Sequence, residues 1–156
     1  VAVGDPPSEA DELDVRRGSE AADTLRRRSL TLYDVMALSA DPDDRIGDGN
    51  AREWVSGFER TFRAADALLD DEGPVGDRTA RAFLDLLAEQ PDTLVAINHD
   101  EAAAREVSER AAAVDGDLAA AEELADEFVD AGYNPGTTAD ITAAALFVAL
   151  ERGLGV

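Results

Sequence analysis

Nowhere in this chain of 156 residues do apolar and polar side chains alternate; apolar residues recur instead every third or fourth position. That spacing keeps one face of a helix apolar, whereas a half-buried strand needs a period of two. The chain is therefore expected to be all-α, a compact bundle of about seven helices joined by short loops. Its length suits one domain around one core. Residues 1–12, rich in acids with two prolines, read as a disordered acidic lead-in, and residues 13–156 as a single all-α domain. Abundant alanine predicts helices that approach closely.

The spacing places the helices. Ser19 to Leu38 carries Ala21, Leu25, Leu32, Val35, Met36 and Leu38, with a boundary near Ser29. A second helix then starts behind Thr31, which with Asp34 three residues on forms a capping box. Ala51 to Asp70 is the clearest amphipathic stretch: Trp54, Val55, Phe58, Phe62, Ala65, Leu68 and Leu69 form its expected core stripe. Gly57 lies inside it at a cost of roughly 1 kcal/mol against alanine, which marks either a close helix crossing or a ligand. Asp77 is the expected N-cap of a helix ending at Gln90. Pro91-Asp92 starts another short helix, its wholly apolar Leu94–Ile97 run expected to be buried. Asp100 to Val114 and Leu118 to Ala131 complete the series up to Gly132.

The 14 basic residues are all arginine and face 35 acids, a net charge of −21. Nucleic acid is an unsuitable partner for such a surface, because phosphate binding rests on basic residues. No apolar run is long enough to cross a bilayer, and the N-terminus lacks the pattern of a signal peptide. The absence of cysteine removes disulfides, thiolate nucleophiles and cysteine-based zinc sites. Dense carboxylates without lysine point to a halophilic protein of a salt-rich cytoplasm. Asp43, Asp44, Asp48 and Asn50 lie in one acidic loop whose spacing does not fit an EF-hand, so it reads as solvated.

The stretch Gly132–Arg152 joins a turn to a helix. Gly132 can take positive φ at a helix end, and Asn134-Pro135-Gly136 is a strong turn signal. Thr137 is the expected N-cap, with Asp140 closing a capping box. Ile141 to Leu150 is uncharged and expected to be buried on every side. The residues alone leave two readings open: a plain helix start, or backbone N–H groups that hold an anion.

Tyr133-Asn134-Pro135-Gly136-Thr137-Thr138-Ala139-Asp140, with the apolar run Ile141–Phe147, resembles the C-terminal signature of the triphosphoribosyl-dephospho-coenzyme A synthase family. Leu30–Met36, Ala51-Arg52-Glu53-Trp54 with Gly57-Phe58, and Asp92–Ala96 with His99 are similar to its archaeal branch. The resemblance implies a transferase that moves the triphosphoribosyl group of ATP to the 2′-hydroxyl of 3′-dephospho-coenzyme A and releases adenine. ATP would bring Mg²⁺. It implies Asp140 as metal ligand or ribose contact, and Asn134, Gly136, Thr137 and Thr138 as phosphate contacts. Arg52 and Glu53 would lie near the substrate, and His99, the one histidine, would serve the leaving group. Thr137-Thr138 stand where the bacterial pattern has a Gly-Ser type pair, which leaves the acceptor open. Family members are longer and carry N-terminal motifs with no counterpart here. The alternative is thus a non-catalytic helical half or scaffold of a split or truncated enzyme, with the missing N-terminal half or a homo-oligomer as its protein partner.

Overall fold

The computed structural model describes residues 19–40 and 46–156. The predicted acidic lead-in, and Asp43 and Asp44 of the acidic loop, lie outside the described residues. Among the described residues there are nine helices and no strand: α1 Ser19–Arg28, α2 Leu32–Ala40, α3 Gly49–Ser56, α4 Glu59–Asp70, α5 Val75–Glu89, α6 Thr93–Asn98, α7 Glu101–Val114, α8 Leu118–Ala131 and α9 Gly136–Glu151. The all-α class is as the spacing predicts. None of these helices is long and apolar enough to cross a membrane.

Helix α5 organises the packing, because its apolar positions serve two cores. Ala82 and Leu86 face one core with Ala64, Ala65 and Leu68 of α4 and Ile141, Ala145 and Ala149 of α9. Leu84 and Leu87 face the other, with Val95 of α6, Ala104, Val107 and Ala111 of α7, and Leu124 and Phe128 of α8. Alanines on both sides of the α4–α9 contact let the two backbones come close. Fully buried Leu68 and Leu87 each contribute about 1.5–3 kcal/mol through removal from water. The box predicted for α2 is present: the Thr31 amide and hydroxyl donate to Asp34, and the Asp34 amide donates to the Thr31 hydroxyl. Those hydrogen bonds hold the Asp34 carboxyl below its ordinary pKa.

Several expectations need correction. The Leu94–Ile97 run is not buried throughout: Val95 is, but Ile97 is 53% exposed. Ala51–Asp70 is two helices, because Gly57 (φ 75°) and Phe58 (φ 64°) both take the left-handed conformation and turn the chain between α3 and α4. The turn rotates the predicted stripe, so Trp54, Phe58 and Phe62 are exposed rather than in the core. Helix α5 starts at Val75 with Pro74 at its N-cap, which leaves Asp77 in the first turn. Helix α9 is not buried on every side. Ile141, Ala145 and Ala149 recur every four residues and line the face against α4, but Phe147 is 64% exposed on another face. A uniformly apolar helix hides which side its neighbours cover.

Candidate functional site

Helix α9 begins in an unexpected way. Pro135 occupies its N-cap and offers no side-chain acceptor. The acceptor comes from 46 residues away: Asp92 Oδ2 takes the Thr138 amide at 2.7 Å and the Thr138 hydroxyl at 2.8 Å. Asp92 Oδ1 meanwhile caps its own helix, α6, accepting from the amides of Leu94 and Val95. One carboxylate, 2% exposed, thus terminates two helices and ties them together. A negative group at two helix N-termini is also favoured by both macrodipoles. Thr137 is therefore not the N-cap, and Asp140 closes no capping box. The Thr138 amide and hydroxyl expected to meet phosphate are taken by Asp92, and the residue is buried.

Helix α4 repeats the device. Phe58 stands at its N-cap without a capping side chain. Glu53, 3% exposed, reaches over from α3, and its Oε2 accepts from the Thr61 amide at 2.9 Å and the Thr61 hydroxyl at 2.8 Å. The Phe58 amide donates to the Glu53 carbonyl at 2.6 Å. Glu53 consequently holds the α3–α4 turn, which gives the buried acid a structural task. Arg52, half-buried beside it, donates to the Ala40 carbonyl and ties α3 to the end of α2.

With the start of α9 secured by Asp92, Asp140 is left on the surface. It lines a cavity of about 370 Å³ between α3, α4 and α9, with Met36 of α2 at its edge. Asp48, Asn50, Trp54, Phe58 and Thr61 complete most of the wall. Asp48 caps α3, accepting from the Ala51 amide. Asn50 Nδ2 donates to Asp140 Oδ2 at 3.0 Å, across 90 residues of sequence. Trp54 and Phe58 meet edge to face, ring centroids 5.7 Å apart, and remain 43% and 38% exposed. The cavity therefore has an oxygen-rich end and an aromatic wall. No arginine lines it.

The remaining predicted residues stand apart from this wall. Asn134 is exposed, and its carbonyl accepts from the Gly136 amide. Gly136 is a packing glycine: a Cβ there would lie 2.6 Å from Leu94 Cδ2. The Thr137 methyl fills the space where a Cβ on Gly49 would stand. His99 Nε2 donates to the Gly132 carbonyl at 3.1 Å, and its ring packs edge-on against Tyr133. It does not line the cavity that holds Asp140. Among the described residues, no three His, Cys, Asp or Glu side chains converge as a metal cluster. Sequence reasoning left Asp48 and Asn50 in a solvated acidic loop, apart from Asp140, and missed the outward face of Trp54 and Phe58. The signal within reach was Gly57, whose φ > 0 option allows the turn that exposes both rings.

These observations define an all-α helical bundle in which a carboxylate–amide pair and two aromatic rings share the wall of one cavity. The chain belongs to the CitG family, ATP:dephospho-CoA triphosphoribosyl transferase, whose model matches residues 2–155. A solved structure from Archaeoglobus fulgidus, provisionally named a triphosphoribosyl-dephospho-CoA synthase, is similar at 28% identity with a TM-score of 0.72. The similarity covers 94% of this chain and 62% of that one, so the chain spans less than two thirds of that relative's length. No curated protein matches the chain.

Proposed function

We propose that this chain carries part of the active site of a triphosphoribosyl-dephospho-CoA synthase-like transferase. The observation that supports it is the Asp140–Asn50 pair on the wall of the 370 Å³ cavity. In the proposed reaction the ribose C1′–N bond of ATP breaks and a C1′–O bond forms to the 2′-hydroxyl of dephospho-CoA. The hydroxyl loses its proton and the departing adenine gains one. Positive charge grows on the ribose as the base leaves, and a preorganised carboxylate is the group that stabilises it. Asn50 fixes the Asp140 carboxylate in place for that task. Asp48 and Asp140 also fit Mg²⁺, which binds through one or two carboxylates plus substrate phosphates and water. When bound, the ion would neutralise a triphosphate that no arginine of this cavity can meet. His99 has no role in this reading, since it serves the Gly132 carbonyl.

The second reading is that the chain is a non-catalytic helical half or scaffold of a split or truncated enzyme. Calorimetry in molar KCl separates the two. Mg-ATP or dephospho-CoA should bind the folded chain, and Asp140→Ala should weaken binding of Mg-ATP. A folded chain that binds neither nucleotide would leave only the second reading.

A further inference from the structure

Phe58 occupies a backbone conformation that suits glycine or asparagine. Its φ of 64° and ψ of 36° place a bulky side chain in the left-handed region, where a residue of this kind is an outlier. Such strain persists only where the surroundings enforce it, and it gathers at sites of function. The enforcing contacts are present: the Phe58 amide bonds to the Glu53 carbonyl, and the buried Glu53 carboxylate pins the Thr61 amide at the start of α4. Their joint effect is to hold the Phe58 ring against Trp54 on the wall of the cavity instead of in a core.

A cavity of about 370 Å³ is within the range of small-molecule sites, roughly 300–1,000 Å³. Aromatic faces stack any nucleobase. Trp54 and Phe58 bring two such faces to the wall of the cavity. We infer that Trp54 and Phe58 form the stacking platform for an adenine base held in this cavity, an inference that rests on the transferase reading above. Adenine occurs in both ATP and dephospho-CoA, so the shared chemistry is the base.

Trp54 is the only tryptophan, so its fluorescence reports on this wall alone. In molar KCl, titration with Mg-ATP and with dephospho-CoA, in separate arms, should quench it; the arm that does so identifies the source of the base. Tripolyphosphate with Mg²⁺, which has no base, should leave the emission unchanged. Trp54→Ala should weaken calorimetric binding of the quenching nucleotide about tenfold or more, and Trp54→Phe should restore most of it. Phe58→Asn, compatible with the left-handed backbone, should keep the helical circular dichroism and weaken binding in the same sense. Nucleotide binding with no quench and no loss in Trp54→Ala would overturn the platform while the transferase reading stands. Absence of binding by the folded wild type would overturn both.

Discussion

Asp92→Asn changes one atom of a buried carboxylate that four donors share. The carboxylate takes Leu94 and Val95 amides on Oδ1 and the Thr138 amide and hydroxyl on Oδ2. An asparagine can keep its oxygen toward only one of these pairs, and its NH₂ then faces donors at the other. If the oxygen stays with α6, the Thr138 hydroxyl can rotate to accept, but the Thr138 amide cannot. One buried N–H left without a partner costs about 1–3 kcal/mol. Exchange of the charged acceptor for a neutral one weakens the surviving bonds as well. The expected loss is about 2–4 kcal/mol. For a domain of this size it corresponds to a fall in Tm of roughly 5–15 °C. Asp92→Ala also removes the α6 cap, worth about 1 kcal/mol more. Thr138→Val removes the hydroxyl and keeps the amide, and should cost about 1 kcal/mol. Urea denaturation in molar KCl, followed by circular dichroism, reads all three. Asp92→Asn within about 0.5 kcal/mol of wild type, the range of ordinary surface changes, would refute the shared-cap argument.

Gly47→Ala should cost clearly more than Gly136→Ala. The new Cβ would lie 2.0 Å from the Ala40 carbonyl oxygen in the first case and 2.6 Å from the tip of Leu94 in the second. Backbone cannot yield as a side-chain methyl can, so about 1–3 kcal/mol or more is expected for Gly47 and less for Gly136, again by urea denaturation. The Arg105 side chain, and then the Ile46 amide, hold the Glu101 carboxyl below its ordinary pKa of 4.5. Its contribution is thus present above that value and lost as pH falls through the lower folded value. In molar KCl, Glu101→Gln should flatten the decline of Tm below about pH 4.5; an unchanged slope would contradict the Arg105 and Ile46 contacts. With a net charge of −21, the helical circular dichroism should decay as KCl is withdrawn and mutual repulsion loses its screening. A full signal in millimolar salt would rule against the halophile reading.

The positions of most helices were legible because apolar spacing and short-range caps are local. Thr31 and Asp34 are three residues apart, so their reciprocal bonds can be read from the sequence. The N-terminal anchors of α4 and α9 were not legible. Glu53 and Thr61 are eight residues apart across a turn, and Asp92 and Thr138 are 46 apart. Thr137 and Asp140 look like a capping box by spacing alone, and a distant carboxylate takes that position instead. Asp140 was legible as the polar residue of its motif. Its partner Asn50 was not, since 90 residues separate them. Trp54 and Phe58 looked like core because spacing cannot register a pair of left-handed residues that turns the chain between them.

The bond from Asp92 to Thr138 fixes where α9 begins, and Asp140 follows only two residues later. The angular bearing of Asp140 about the helix axis is thereby set from α6, a helix that contributes no wall to its cavity. A slip of one residue at that anchor would swing Asp140 by about 100° and carry it off the wall. Precision at the candidate site is thus outsourced to a buried residue that does not line the cavity, so selection for activity and selection for folding would act on Asp92 together.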